Sequence, residues 1–370
     1  MQLVDLSDHY GAFYAPTFAV RVARQDLVRD ELVAVSQVEA DLELGAAARF
    51  SFTVVNAYSL KDHAFLSGRG KPLLDLLAFG AEVEICMGYG DARTTPLIFS
   101  GVVCSMTTNF PEGGTPELAI SGYDHAFPLT NGKSSRTWTD ATDSAAVHEI
   151  ASFHNLGAAI EDTKERHKQI EQNQESDFEF VKKLADRNHF ELYVDAAKTL
   201  HFGKPRDRDD AVVTLRWGEG LLSFKPEANL AGQIAGVKVF GWDPKKKEQI
   251  VGSAGAGDET DVDAKDKSAA QRIGSIVRDP SKRPVLRLRQ PVFTQAEANK
   301  RAKAAFNERA KQFLTGDAEA IGLPEIRPDR SVALENLGAP FSRTYYVHQA
   351  THKVDTSGYR TRFKVKDTSL

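Results

Sequence analysis

The sequence has little cysteine and no long hydrophobic run. Its two cysteines, Cys86 and Cys104, are too few for a framework of several disulfides. Both lie in apolar, strand-like runs, so we expect buried free thiols in a reducing compartment. The longest uncharged stretch, residues 94–111, contains several serine, threonine and asparagine residues, which a lipid-spanning helix would not tolerate at that density. The sequence therefore predicts neither a disulfide-stabilised fold nor a membrane segment.

The sequence also lacks a large excess of charge of either sign. Its 47 lysines and arginines oppose 51 aspartates and glutamates, for a formal net charge of −4. This balance argues against a chain whose main work is coating nucleic acid. The first nine residues contain Asp5 and no apolar core segment, so they predict no secretory signal. With 370 residues and 41% hydrophobic content, two or three domains with their own cores are expected.

Apolar and polar residues alternate with a period of two through most of the first 125 residues. Phe50, Phe52 and Val54 are separated by polar side chains, and similar patterns occur at 82–89 and 97–108. This period is typical of strands with one buried face. Because unpaired strand edges must be satisfied, closure into a barrel or a sandwich is the expected arrangement. We predict a first β-barrel domain over residues 1–125.

The region from residue 126 to residue 210 mixes helix and strand patterns. Ser176 and Glu179 have the spacing of a capping box, in which each side chain accepts a hydrogen bond from the other residue's amide, and predict a helix over 177–187. Alternation around a polar turn at 190–203 predicts a hairpin. We therefore expect a small middle α+β domain over residues 126–210.

Strand periodicity returns after residue 210 and predicts a second β-barrel domain over residues 211–370. Residues 252–284 are rich in glycine, alanine, aspartate and lysine and predict a long exposed loop. Thr294 and Glu297 form a second capping-box pattern, which predicts a helix over 295–313. The two β regions echo each other, so a duplicated domain is expected. The predicted fold class is mainly β, with two β-barrel domains joined by a mixed α/β domain.

The histidines do not form the pattern of a metal or catalytic site. His148 and Glu149 resemble the start of a zinc-protease motif, but the second histidine four positions after the first is missing. His154 would lie about 240° further round a straight helix. His348 and His352 share a face of a regular strand but lack a third ligand. We predict no catalytic, cofactor-binding or metal-binding residues.

Two further patterns suggest binding chemistry only superficially. The glycine-rich residues 252–257 are followed by Asp258 and Glu259, whose carboxylates would repel a phosphate. The alternating basic residues between Arg360 and Lys366 lack interleaved aromatic residues on the same face. A solvated sheet face is the better interpretation of that stripe.

Several segments in a fixed order resemble one known family. They are Glu175-Ser-Asp-Phe-Glu-Phe-Val-Lys-Lys-Leu-Ala, Phe190-Glu-Leu-Tyr-Val-Asp, Leu200-His-Phe, Gly241-Trp-Asp-Pro, Tyr345-Tyr-Val-His-Gln-Ala-Thr-His and Gly358-Tyr-Arg-Thr-Arg-Phe. In this order they resemble the phage late control gene D family, the baseplate hub proteins of contractile phage tails. That family is similar to the N-terminal part of the type VI secretion spike protein VgrG and to hubs of extracellular contractile injection systems. The resemblance extends from about residue 15 to the end.

The resemblance implies a homotrimer in which each chain contributes two tail-tube-like barrels, so that six barrels match a hexameric tail tube protein. It implies a structural hub, without enzymatic activity or cofactors, that connects the tube to a spike and initiates tube assembly. Its expected location is the baseplate of a virion or injection particle assembled in the bacterial cytoplasm.

Spike-fused relatives continue into an oligonucleotide-fold domain and a β-helix, whereas this sequence stops at Leu370. A separate trimeric spike protein and other baseplate proteins are therefore the expected partners, with no specific nucleic acid binding. One alternative from another class is a cell-wall-degrading hydrolase associated with the tail tip.

Overall fold

The computed structural model describes residues 2–207, 209–243, 246–260, 262, 266–289, 292 and 294–370. The chain is mainly β, with a mixed middle region and one closed six-strand barrel, which confirms the predicted mainly β class. Pro244, in one of the segments that carry the family resemblance, lies outside the described residues.

The first sheet follows a short N-terminal helix, α1 (Leu3–His9). Its strands and the small hairpin beside it are β1 (Pro16–Val22), β2 (Gln25–Asp26), β3 (Ala34–Glu43), β4 (Arg49–Val55), β5 (Tyr58–Ser59), β6 (Ala64–Phe65), β7 (Glu82–Tyr89), β8 (Leu97–Asn109) and β9 (Glu117–Asp124), with helix α2 (Leu73–Leu76) before β7. The sheet order is β2-β1-β7-β8-β9-β4-β3. Phe50, Phe52 and Val54 of β4 point into the core as their alternation predicts.

The middle region packs three helices against two small sheets. Its elements are α3 (Phe127–Thr130), β10 (Ser134–Thr142), α4 (Asp143–Phe153), β11 (Gly157–Ile160), β12 (Arg166–Glu175), α5 (Asp177–Asn188), β13 (Glu191–Val194) and β14 (Thr199–Gly203). The polar segment before α4 is strand β10, which pairs with β12. The sequence pattern does not predict this strand, because most of its side chains are polar and only Trp138 of β10 is buried.

Helix α5 begins with the capping box that its sequence predicts. The Ser176 hydroxyl accepts a hydrogen bond from the Glu179 amide at 3.2 Å, and the Glu179 carboxylate accepts one from the Ser176 amide at 2.8 Å. Phe180, Val181 and Leu184 are buried against the middle core. His189 ends the helix in a left-handed conformation, which turns the chain directly into β13.

The second β region is a closed barrel with an insertion. Its elements are β15 (Val213–Trp217), β16 (Gly220–Ala228), β17 (Gly236–Asp243), β18 (Glu248–Gly255), α6 (Ala269–Ile276), β19 (Val285–Arg289), α7 (Gln295–Ala310), β20 (Leu314–Ile321), β21 (Arg330–Glu335), β22 (Arg343–Asp355) and β23 (Gly358–Asp367). Six strands close in the order β15-β21-β22-β23-β20-β16, since β16 also pairs with β15. The inserted strands form a separate sheet, β18-β17-β19, which packs on α7.

The two β regions share one strand order. Numbered along the chain, the six long strands of the first sheet (β1, β3, β4, β7, β8, β9) lie in the order 1-4-5-6-3-2, and the six barrel strands lie in the same order. The first sheet stays open, because its first and second long strands do not pair in the described part of the chain, and this corrects the predicted closure of residues 1–125 into a barrel of their own. Strands 1 and 4 are antiparallel in the first sheet and parallel in the barrel. This common order supports an origin by duplication.

The stretch 252–284, predicted as an exposed loop, is partly ordered structure and corrects that prediction. It contains the end of β18 and helix α6, which begins with a capping box between Ser268 and Gln271. Ala269, Ala270 and Ile273 are the buried side chains of this helix, and two of the three are too small to give a clear helical pattern in the sequence. Residues 261 and 263–265 of this stretch lie outside the described part.

The predicted domain limits at residues 125 and 210 stay a prediction, although the middle region contacts both sides. The Gly45 amide, in the turn between β3 and β4, donates to the Leu192 carbonyl at 2.7 Å. The Tyr193 hydroxyl donates to Asp329, which precedes β21, at 3.3 Å. Leu6 of α1 packs in the core of the barrel and not in that of the first sheet.

Replacing the capping serine should destabilise the middle region measurably. We expect Ser176→Ala to lower the free energy of unfolding by about 1 kcal/mol, because the Glu179 amide loses its acceptor. Ser152, an exposed serine inside α4, provides the matched control. Ser152→Ala should leave stability unchanged or slightly raised in urea titrations followed by circular dichroism, and an equal loss in both variants would contradict the role of the cap.

Candidate functional site

Strand β22 changes partners along its length and so belongs to both β regions. Residues 343–347 pair with β21 inside the barrel, whereas residues 349–354 pair with β3 of the first sheet. The switch occurs at a bulge between Val347 and Gln349. A bulge inserts an extra residue and bends its strand. The two β regions are therefore one continuous 13-stranded sheet.

The end of the β22–β23 hairpin completes the core of the first sheet. Val354 and Tyr359, from the two arms of the hairpin, are buried with Val20, Ile85 and Phe99. Further along the same strands, Ala350 and Phe363 belong to the barrel core. The hairpin thus fills the gap between β3 and β1 that the open sheet leaves. We call this junction, formed by β22, β23, β3 and the segment 322–329, the seam.

His352 lies completely buried in the seam. Its Nε2 is 3.0 Å from the Ile326 carbonyl oxygen, and its Nδ1 is 2.9 Å from the Tyr359 hydroxyl. These partners assign a neutral ring, with Nε2–H donating to the carbonyl and Nδ1 accepting from the phenol. Burial, and to a lesser degree the Arg327 guanidinium, lowers the pKa of His352 to about 3.

Two further polar contacts tie the N-terminal segment and the barrel to the first sheet. The Arg327 guanidinium donates to the Leu97 carbonyl at 2.8 Å, and burial lowers the pKa of this arginine. The Tyr10 hydroxyl donates to Glu325 Oε1 at 2.6 Å. Tyr10 also packs on Tyr89 of the first sheet. Hydrogen bonds to charged groups in a buried setting contribute roughly 1.5–3 kcal/mol each, so the seam resists separation of the two β regions.

The structure separates the residues that sequence patterns grouped. His148 is exposed, while the Glu149 carboxylate accepts a hydrogen bond from Trp138 at 2.8 Å. His154 Nε2 lies 2.8 Å from Asp177 Oδ2, on the far side of α4's last turn. Within the described residues, no group of three or more histidine, cysteine, aspartate or glutamate side chains could hold a metal ion.

The second histidine pair is separated by the bulge. His352 points into the seam, whereas His348 lies at the bulge, half-buried near Lys364 and Lys366. The expectation of a shared face was wrong, because a bulge shifts the alternation by one residue. A strand period read from sequence alone cannot locate such a shift.

The basic stripe on β23 is largely neutralised. Glu319 of β20 lies 2.9 Å from Arg360 and 3.2 Å from Arg362. Lys366 is half-buried, and desolvation lowers its pKa. The predicted solvated face therefore carries a ladder of mixed charge, as alternation on a sheet surface indicates.

The remaining sequence patterns also have structural roles. The glycine-rich residues 252–255 lie in β18, where Gly252 packs against α7 so closely that a side chain would collide with Ala298. Asp258 pairs with Lys303 at 2.9 Å. Cys86 is buried as expected, but Cys104 is only half-buried, and both are free thiols. No helix of the described part is long and apolar enough to cross a bilayer.

The family comparison covers both the seam and the middle region. Residues 73–356 match the family model described as the Alg8 N-terminal domain, which is more than half of the chain. The chain belongs to the Alg8 N-terminal domain family. The matched stretch begins at α2 and ends in the turn between β22 and β23. The family description names a domain and no reaction, and no curated protein sequence gives a significant match.

Solved structures reveal the fold that this member of the Alg8 N-terminal domain family adopts. It is similar to the 43 kDa tail protein of prophage MuSo2 from Shewanella oneidensis, with a TM-score of 0.71, 12% identity and coverage of 95% of this chain and 100% of that one. The tail protein from Neisseria meningitidis MC58 gives a TM-score of 0.71, 13% identity and coverage of 96% and 97%.

A third structure is more distant. The E. coli c3393 protein, described as a type VI secretion system component with structural similarity to the bacteriophage T4 tail proteins gp27 and gp5, gives a TM-score of 0.54 at 10% identity, over 94% of this chain and 76% of that one. The resemblance to tail hub proteins that the sequence segments indicate is thus confirmed at the level of the fold.

The buried histidine should make stability depend on pH. An unfolded histidine titrates near pH 6.5, whereas native His352 stays neutral down to about pH 3, so acidification stabilises the unfolded chain. Relative to His352→Gln, the wild type should lose about 2 kcal/mol of unfolding free energy between pH 7 and pH 5. Urea titrations at both pH values measure this difference. The control His148→Gln, at an exposed position, should keep the wild-type dependence, and parallel curves for all three proteins would exclude a buried neutral imidazole.

Proposed function

We propose that this chain is a structural baseplate hub of a contractile phage tail or injection system. In this proposal three copies form a pseudo-six-fold ring that connects the hexameric tail tube protein to a separate trimeric spike and initiates tube assembly. The observation that carries the proposal is the common 1-4-5-6-3-2 strand order of the two β regions. Two equivalent units per chain give six per trimer, the number that a hexameric partner requires.

The physics of a closed ring supports the trimer. Each chain must contact its neighbour through two different surfaces, and such a heterologous contact either closes into a ring or continues as a filament. The seam fixes the angle between the two β regions of one chain through strand pairing and buried hydrogen bonds. A fixed angle between the two β regions of each chain favours a ring that closes with one particular number of chains.

Attachment to a tube would then depend on repetition. A ring with six similar units presents the same modest interface six times to a hexamer, and avidity makes the sum firm. The likeness in fold to two proteins described as tail proteins, and to a type VI secretion component, supports this assignment. The proposed location is the baseplate of the particle, among other baseplate proteins, after assembly in the bacterial cytoplasm.

A structural role without catalysis is part of the proposal. Buried Asp143, for example, is held by neighbours from the same fold, Arg187 and Asn188. His148 and Glu149 are the best candidate residues for the alternative, a cell-wall hydrolase. The Glu149 carboxylate accepts a hydrogen bond from Trp138 and so has a structural role. The double variant His148→Ala with Glu149→Ala should therefore assemble as the wild type does. In a cell-wall hydrolysis assay, the variant and the wild type should give the same rate.

The copy number is directly measurable. We expect the purified chain to sediment at three times its monomer mass at physiological salt, and electron micrographs to contain a ring with a central hole and three-fold symmetry. Val354→Asp, which places a carboxylate in the core beneath the seam, should abolish the ring because the two β regions would no longer hold one angle. The exposed control Ser152→Ala should retain it. A monodisperse wild-type monomer without rings would refute the proposal.

A further inference from the structure

The insertion in the barrel carries a sheet with one face covered and one face open. It occupies residues 229–313, between β16 and β20, where the first sheet has only the short turn between β3 and β4. Val237, Val239 and Ile250 face α7 and form a small core with Phe306. On the opposite face of the sheet, the described residues form no core with any other element.

The open face combines cations with aromatic and aliphatic side chains. Because side chains alternate along a strand, every second residue lies on this face. Central strand β17 contributes Lys238, Phe240 and Trp242, and the flanking strands contribute Gln249, Val251, Ser253, Val285, Arg287 and Arg289. Trp242 is 54% exposed. No carboxylate lies among these positions.

The cations lie side by side, and the described part of the chain offers them no counter-ion. In the parallel pair of β17 and β19, Lys238 lies opposite Arg287, and Phe240 lies opposite Arg289. Like charges directly across two strands destabilise a sheet. Among the residues that the structure describes, no ion pair neutralises any of the three cations. By contrast, one carboxylate, Glu319, pairs with both Arg360 and Arg362 on the barrel face.

On this face like charges lie side by side, and no described residue of the chain neutralises them. Such a departure from local charge pairing indicates that a binding partner supplies the opposite charge. Tryptophan, arginine and phenylalanine are the residues that carry most binding energy at protein interfaces. The face also exposes the aliphatic side chains Val251 and Val285, which an apolar protein surface covers and a phosphate backbone does not. A protein partner therefore fits better than nucleic acid.

We propose that the open face of the inserted sheet, with Lys238, Trp242, Arg287 and Arg289 at its centre, docks a carboxylate-bearing, partly apolar surface of a partner protein. Carboxylates of the partner neutralise the cations of β17 and β19, and an apolar side chain covers the indole of Trp242. Charge complementarity decides the orientation, while burial of the aromatic residues supplies most of the affinity. The proposal does not depend on the ring, because the face belongs to the inserted sheet, which is separate from the 13-stranded sheet.

A peptide probe tests this surface on the full chain. Fluorescence anisotropy measures binding of a labelled peptide of about 20 residues, mainly glutamate with leucine at every fourth position, at physiological salt. We expect saturable binding to the wild type. Arg287→Glu with Arg289→Glu should weaken it about tenfold or more, and Trp242→Ala about threefold or more, because the first pair loses attraction and the second loses apolar contact.

The matched control reverses two exposed cations elsewhere. Lys225→Glu with Lys364→Glu, on the outer face of the barrel on either side of Asp317, changes the net charge equally and should leave binding within about twofold of the wild type. Equal weakening by both double variants, or no saturable binding at all, would overturn the proposal. Tighter binding of a labelled oligodeoxythymidine than of the peptide would replace the protein partner with nucleic acid. If the reversal variant does not fold by circular dichroism, Arg287→Gln with Arg289→Gln replaces it.

Discussion

The backbone hydrogen bonds of β22 are shared between two sheets, and most of the architecture depends on this sharing. The first part of the strand forms backbone hydrogen bonds with β21, and its second part forms them with β3. A strand can change partners only if it bends and shifts its alternation, and the bulge at His348 provides both. Because each backbone group must find a partner, separation of the two β regions would expose an entire ladder of hydrogen bonds. The two β regions are consequently joined by a shared strand and not only by the chain segment between them.

The seam is held by polar groups where apolar packing alone would have been possible. Buried polar groups add little net stability, yet each demands one geometry of its partners. His352 requires the carbonyl of Ile326 and the hydroxyl of Tyr359 at fixed positions, and Arg327 requires the carbonyl of Leu97. A hydrophobic joint would tolerate sliding. A joint of this kind fixes an angle, which is the property that the proposed ring needs.

Local sequence signals predicted those elements whose stabilising contacts are local. The capping box of α5 and the alternation of Phe50, Phe52 and Val54 depend on neighbours within a few residues, and both appear in the structure as predicted. Strand β10 and helix α6 were missed for the opposite reason. Strand β10 is polar because one face is solvated, and α6 is buried by alanines whose small apolar area carries little signal. The seam itself was invisible, since Tyr10, Arg327 and His352 are far apart along the chain and ordinary in their local patterns.

The sequence by itself determined the mainly β character, the mixed middle region and the two related β regions, because hydrophobic period and capping are written in adjacent residues. Only the tertiary structure decided that the barrel closes while the first sheet stays open, and that one hairpin belongs to both cores. It also decided which cations find a partner: Arg360 and Arg362 look no different in sequence from Arg287 and Arg289, yet among the described residues only the first two meet a carboxylate. Pairing partners across strands are set by register, and register is a property of the assembled sheet.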